Sequence, residues 1–259
     1  MAAVEQRFSF DGVADLYDAV RPDYPSALAD DVLAFAALEP DEALLEIGPG
    51  SGKATALFAG RGHPIVAIEP GEALIAAAHR RLAGTGDVRF VHATFEDWPA
   101  PADSFGLVFA AQSIHWLAPE ARVDKPATAL RPGGTLAVFG NVPLPFPGAL
   151  GERVADIYRR HAAWLAGPPP ESAYQPDGPF AAMIEQSGRF GPVEHRAYAW
   201  SRRHDARTYP ALMSTLSNHI LLDADVRAGL LAALAEAIEA EGGDVDLGYE
   251  THLYMARKG

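Results

Sequence analysis

Short apolar runs recur along the first half of the chain at intervals that leave room for a helix between most neighbours: "ALLEI" (43–47), "PIVAIE" (64–69), "VRFVHA" (88–93), "FGLVFAA" (105–111) and "GTLAVFG" (134–140). Runs of this length with few polar interruptions are the pattern of strands buried on both faces. The stretches between them predict helices near 52–60, 71–83 and 119–130. Upstream, "PSALADDVLAFAAL" (25–38) spaces Leu28, Val32, Leu33 and Ala36 so that one helical face can pack on a sheet. The alternation predicts a parallel sheet covered by helices on both sides.

After Asn141 the rhythm breaks. "VPLPFPG" is too rich in proline for a central strand. It leads into an amphipathic helix around 149–166, then "GPPPESAYQPDGP", a short helix near 180–188, a strand-like "VEHRAYAWS" (193–201), helices near 205–217 and 223–241, and a final alternating "VDLGYETHLYMAR" (245–257). We expect one domain over 1–259, with lid helices in 1–40, a core in 41–141, an inserted cap in 142–190, and a segment 191–259 whose strands return to complete the sheet.

At 49% hydrophobic and 21% charged, 259 residues can bury one sizeable core. The formal net charge of -13 argues against a nucleic-acid partner, because phosphate binding relies on lysine and arginine displacing counterions. The absence of cysteine removes disulfides, zinc–thiolate sites and thiol nucleophiles. No HExxH spacing points to a metal. The N-terminus has no basic start followed by an apolar run, and no segment keeps about 18 apolar residues free of charge and proline, so a cytoplasmic protein with no membrane partner is expected. The wealth of alanine, arginine, glycine and proline is associated with GC-rich bacterial genomes.

The stretch that carries chemistry is "ALLEIGPGSGKAT" (43–55). A Walker A loop would need glycine at Ile47 and Ser or Thr at Ala54; a G-x-G-x-x-G dinucleotide turn would need glycine at Lys53. What stands is E-x-G-x-G-x-G: Glu46, Gly48, Gly50 and Gly52. Glycines let backbone approach a ligand without a Cβ, and a carboxylate can take up an ammonium group. About 20 residues on, Glu69 ends the second strand, where a carboxylate can accept both hydroxyls of a ribose.

This turn resembles the first motif of the class I S-adenosylmethionine-dependent methyltransferases. The resemblance extends through "EPGEAL" (69–74), "HATFEDWP" (92–99), "AAQSIHWL" (110–117), "LRPGG" (130–134) and the N-terminal "FDGVADLYDAVRPDYP" (10–25), which together match the branch that includes trans-aconitate methyltransferase-like proteins. It implies a doubly wound, seven-stranded Rossmann-like α/β sheet with an N-terminal helical lid and an inserted cap. It implies S-adenosylmethionine as cofactor, the glycine turn beneath its methionine part, and Glu69 and Pro70 at its ribose. Thr94 stands where the family often has an Asp for the adenine amino group, Phe95 would cover the adenine, and Gln112 and Arg21 would complete the cofactor site. His115 is the first choice for a general base, Tyr17 is the second catalytic candidate and closes with Arg21 over the methionine end, and Trp116 and His219 would face the acceptor.

Methyl transfer from a sulfonium needs mainly alignment, exclusion of water and sometimes a base. A chain without cysteine excludes cytosine-C5 methylation, which uses a thiol, and "AAQSIHW" lacks the Pro-Pro-aromatic tetrad of amino-methylating DNA enzymes. The expected acceptor is therefore a small molecule, a carboxylate or a secondary metabolite, methylated on oxygen, nitrogen or carbon, with the oligomeric state left open. Two rivals remain: a nicotinamide-dependent oxidoreductase using the same turn and Glu69, and a non-catalytic S-adenosylmethionine-binding protein.

Overall fold

The computed structural model describes residues 12, 14–165, 167 and 170–259. Seven strands, β1 (Leu44–Ile47), β2 (Ile65–Glu69), β3 (Val88–His92), β4 (Phe105–Ala111), β5 (Leu130–Pro143), β6 (Glu194–Asp205) and β7 (Asp244–Arg257), form one sheet in the order β3-β2-β1-β4-β5-β7-β6. The first five are parallel, while β7 runs antiparallel between β5 and β6. The expected seven-stranded doubly wound α/β sheet is thus the one observed.

Strand burial explains why these runs read as unbroken apolar stretches. Along β4, Leu107 and Phe109 join one core with Leu28, Val32 and Phe58, whereas Val108 and Ala110 join the opposite core with Ile47, Ile114 and Tyr254. Side chains alternate across a strand, so a strand covered on both faces must be apolar at every position. Helix α1 (Ala14–Val20) places Val20 in a separate apolar cluster, and the first core is covered by α2 (Ser26–Ala36) and α3 (Thr55–Phe58), the last a single turn where a longer helix was expected over 52–60. Helix α4 (Glu72–Arg81) follows β2, and α5 (Asp124–Ala129) precedes β5.

The proline-rich boundary is a correction. The strand runs on through Val142 and Pro143, which pair with Glu250 and Tyr249 of β7. It tolerates Pro143 because β4 pairs no further than Phe139; the amide of Leu144 donates to Gly248 at 2.8 Å, so the missing N–H of Pro143 lies on the open side.

The segment 142–190 divides between two places. Helix α6 (Gly148–His161) packs with α8 (Thr208–Ser214) and α10 (Ala224–Glu239) in a third apolar cluster containing Phe146, Leu150, Leu212, Leu234 and Tyr249, and the short α9 (Ser217–Ile220) links α8 to α10. Tyr174 and helix α7 (Phe180–Gln186) instead bury on the sheet. Helix α10 begins at Asp223, whose carboxylate accepts from the amides of Asp225 and Val226.

The described part of the N-terminal lid is tied to the rest by polar contacts; residues 1–11 and 13 of the expected 1–40 lid lie outside the described residues. Asp18 pairs with Arg81 at 2.5 Å and Asp23 with Lys53 at 2.9 Å. A buried chain runs from the outer strand to the lid: Trp200 Nε1 donates to Thr251, the Thr251 hydroxyl to Asn141 Oδ1 (2.6 Å), and Asn141 Nδ2 to the carbonyl of Asp23 (3.1 Å). Among the described residues no helix is long and apolar enough to cross a membrane.

Candidate functional site

The sheet order reverses between β1 and β4, and the strand ends there leave a crevice in which ligands of doubly wound sheets bind. Hydrogen bonds of the residues just after β4 shape its floor. The Ser113 hydroxyl, just after β4, donates to the carbonyl of Ile47 at the end of β1. A Cβ on Gly48 would come within 2.7 Å of Ser113 Cβ, and Gly48 has φ +65°, so glycine is needed there for both space and conformation. Gln112 also adopts φ +51°, an unusual value for a residue with a Cβ. It is held by its amide bond to the Phe139 carbonyl (2.9 Å) and by Tyr24, whose hydroxyl donates to its Oε1 (3.2 Å).

The crevice holds a cavity of about 120 Å³ lined by the turn Gly48–Pro49–Gly50, by Glu69 and Pro70, by Phe95, by Gln112, Ser113, His115 and Trp116, and by Tyr17 and Arg21 of the lid. The fold therefore brings together most of the predicted residues from five separate segments. Glu69 is 6% exposed; its Oε2 accepts from the amide of Gly50 at 3.0 Å and its Oε1 from that of Gly71 at 2.9 Å. Tyr17 lies over the turn, its ring and hydroxyl within 4 Å of where a Cβ on Gly50 would stand. The Arg21 guanidinium packs against the Tyr17 ring, donates to the hydroxyl and carbonyl of Thr215 at 3.1 and 2.9 Å, and lies 3.6 Å from Glu171. Burial raises the Tyr17 phenol above its ordinary range, so it stays protonated at neutral pH.

Four predicted residues stand elsewhere. Glu46 does not line the cavity; it lies wholly buried behind the turn, both oxygens without a hydrogen-bond partner among the described residues, and burial pushes its carboxyl up to about 8 despite the nearby Thr55 hydroxyl. Gly52 (φ +80°) serves packing: a Cβ there would press on Ala78 of α4 at 3.1 Å. Thr94 closes its own loop, its hydroxyl donating to Asp97 Oδ2 (2.6 Å) and accepting from the Asp97 amide (3.2 Å). His219 lines a second chamber of about 270 Å³ that adjoins the first and shares Arg21, Gln112, Glu171 and Asn218 with it.

His115 Nδ1 lies 3.2 Å from the Tyr174 hydroxyl, and Arg122 donates to the His115 carbonyl at 2.9 Å. Burial, with Arg122 and Arg21 nearby, lowers its imidazole to about 4, leaving it neutral at physiological pH. In the second chamber Tyr158 Oη stands 2.8 Å from His219 Nε2, and His219 Nδ1 stands 2.7 Å from Asn218 Oδ1. Sequence reasoning missed Tyr158, Tyr249, Asn218 and Glu171. The alternating pattern of β7 places Tyr249 on the face of Leu247 and Thr251, but which end of that face meets a cavity is not written in the period.

The residues present fit S-adenosylmethionine. A turn with bare backbone at Gly48 and Gly50, a buried strand-end carboxylate at Glu69, an aromatic at Phe95 and a lid cation at Arg21 are groups that would suit its methionine, ribose, adenine and carboxylate parts.

Comparison with known proteins agrees. Residues 45–138 match the family model described as "Methyltransferase domain". The chain is 31% identical over 137 residues to an uncharacterised methyltransferase of Mycobacterium bovis, covering 53% of this chain and 54% of that one. It is 38% identical over 114 residues to the trans-aconitate 2-methyltransferase of Sinorhizobium medicae, covering 42% of each. The chain thus spans about half the length of the curated relatives it matches. A solved structure assigned as a type II methyltransferase of Anaeromyxobacter dehalogenans superposes with a TM-score of 0.61 at 22% identity, over 92% of this chain and 97% of that one, and carries the same fold. Motif, strand order and family match converge: residues 45–138 match the methyltransferase domain, within a sheet whose order and glycine turn agree with the class I S-adenosylmethionine-dependent methyltransferases.

Proposed function

We propose that the protein transfers the methyl group of S-adenosylmethionine to a small-molecule acceptor bound in the second chamber, under the lid formed by Tyr17 and Arg21. The observation that carries this reading is the adjacency of the two cavities: the glycine turn, Glu69 and Phe95 line the first, and the wall it shares with the second is where a donor and an acceptor would meet. The second chamber is roofed by α6, α8 and α9, which favours a small acceptor over a polymer.

When bound, the cofactor supplies an electrophilic methyl group. The protein's share is to align the acceptor, exclude water and hold the polar groups in fixed protonation states. Neutral His115, Tyr17 and Trp116 at the first cavity are suited to positioning and to walling the site. The oxidoreductase rival is disfavoured by the antiparallel β7 inserted beside β5, which departs from the parallel dinucleotide-binding sheet, as well as by Lys53 in place of the third glycine. A cytoplasmic, bacterial enzyme is consistent with the composition.

The test is calorimetric titration with S-adenosylhomocysteine, S-adenosylmethionine and NADH. Micromolar binding of the two sulfur compounds and none of NADH is the expected result. NADH binding alone would sink the proposal. Binding of both sulfur compounds without turnover of any acceptor across a broad panel would favour the non-catalytic rival.

A further inference from the structure

The second chamber has a chemical character of its own. Its walls are apolar side chains such as Leu144, Phe146, Leu212, Met213 and Leu247. Among the described residues its lining holds one cation, Arg21, and one carboxylate, Glu171, which stand 3.6 Å apart and offset each other. Three N–H bonds of chain polarity are also committed: Arg21 Nε and Nη2 go to Thr215, and Asn141 Nδ2 goes to the carbonyl of Asp23. Arg202, which stands close enough to influence Tyr249 electrostatically, is outside the lining and donates through Nη1 to the carbonyls of Val20 and Arg21. An ionised carboxylate entering this chamber would lose its hydration and find no uncommitted cation in the lining.

The neutral polar groups tell the opposite story. Asn218 Oδ1 accepts only if His219 Nδ1 carries the proton, so His219 Nε2 is the acceptor and the Tyr158 hydroxyl donates to it. The Tyr158 oxygen then keeps lone pairs that can accept a further proton. The Tyr249 hydroxyl, on a residue 3% exposed, lines the same chamber and has no hydrogen-bond partner among the described residues. A buried hydroxyl without a partner is costly unless a ligand supplies one. A group that both donates and accepts satisfies these two oxygens; a carboxylate, which only accepts, satisfies Tyr249 and leaves Tyr158 unanswered.

We propose that the acceptor is an uncharged, largely apolar molecule bearing a hydroxyl of the phenol or enol kind, recognised through Tyr158, positioned by the His219–Asn218 pair, and through Tyr249. This rests on the methyl-transfer reading above, and it narrows that reading away from carboxylates. On transfer, the hydroxyl oxygen forms the new bond to the methyl carbon, the sulfonium carbon–sulfur bond breaks with its electron pair left on sulfur, and the hydroxyl proton passes to the Tyr158 oxygen as Tyr158 gives its own proton to His219 Nε2.

The probes are 2-naphthol, 2-naphthoate and trans-aconitate, titrated calorimetrically at neutral pH into the protein saturated with S-adenosylhomocysteine. The expected result is 2-naphthol binding at least tenfold tighter than either acid. Tyr158→Phe and Tyr249→Phe should each weaken 2-naphthol at least tenfold while leaving S-adenosylhomocysteine affinity within twofold, which also reports that the variants fold. Equal or tighter binding of either acid, no binding of 2-naphthol, or unchanged 2-naphthol affinity in both variants overturns the proposal. Selective 2-naphthol binding by a protein that does not take S-adenosylhomocysteine would support the chamber's preference and sink the methyl-transfer reading alone.

Discussion

The carboxylate of Glu69 accepts a hydrogen bond from the backbone amide of Gly50 at 3.0 Å, so the residue we propose to meet a ribose also holds the turn we propose to meet the methionine part. Its other oxygen takes the amide of Gly71 at 2.9 Å. One side chain thereby couples the end of β2 to the loop after β1. Each such charge-assisted bond is worth about 1.5–3 kcal/mol. Glu69→Ala should therefore abolish S-adenosylhomocysteine binding and also lower the melting temperature of the free protein. Glu69→Gln, which keeps a carbonyl acceptor, should weaken the cofactor analogue about tenfold, near 1.4 kcal/mol, with a smaller loss of stability. Paired calorimetry and thermal unfolding check the split; equal melting temperatures for wild type and Glu69→Ala would deny Glu69 its structural role.

Gly48 makes a second prediction about the same turn. A Cβ there meets Ser113 Cβ at 2.7 Å while the backbone holds φ +65°. Gly48→Ala should cost about 1–3 kcal/mol from strain and crowding. Adding Ser113→Gly should return part of that loss by removing the clash, but not the part due to φ. Denaturant unfolding of the single and double variants measures the coupling.

Glu46 sets a pH dependence. Its carboxyl is pushed up to about 8 by burial, against an ordinary value of 4.5, so between those values the folded chain holds a proton that the unfolded chain has released. Stability from this group is then present below 4.5, declines as pH rises toward 8, and is flat above it. Glu46→Gln, which cannot ionise, should gain on the wild type as pH rises from 5 to 8. Melting temperatures of the two proteins across that range are the measurement, and parallel curves would show that Glu46 does not titrate there.

Three histidines act in the opposite direction. Burial comes first among the causes that lower His115, His204 and His219 to about 4 from 6.5. Between these values the unfolded chain binds protons that the folded one refuses, so the stability they contribute is whole above 6.5 and is lost as pH falls toward 4. NMR titration should find these three imidazoles still neutral at pH 5.5, whereas an ordinary imidazole is mostly charged there. Any of the three titrating near 6.5 would contradict its placement.

The apolar runs by themselves determined the sheet. β1, β2 and β4 begin and end within a residue of the runs that announced them, because a strand buried on both faces must be apolar throughout, and that constraint is local; β3, at the sheet edge with Arg89 and His92 exposed, matches its run as closely without that burial. The glycine turn and Glu69 were equally legible, since a backbone with positive φ and a strand-end carboxylate each leave a mark at one position. Tertiary structure alone decided the rest. Pro143 sits in a strand because the neighbour that would have needed its N–H has already ended. Thr94 faces its own loop because Asp97 is within reach. Glu46 lies behind the turn and not in the cavity because it shares the face of Leu44, toward the core under α2 and α3. The second chamber is built by Tyr158, His219 and Tyr249, which are distant in the chain and carry no shared spacing. A cavity is what remains between elements once they have packed, and no periodicity along one element records it.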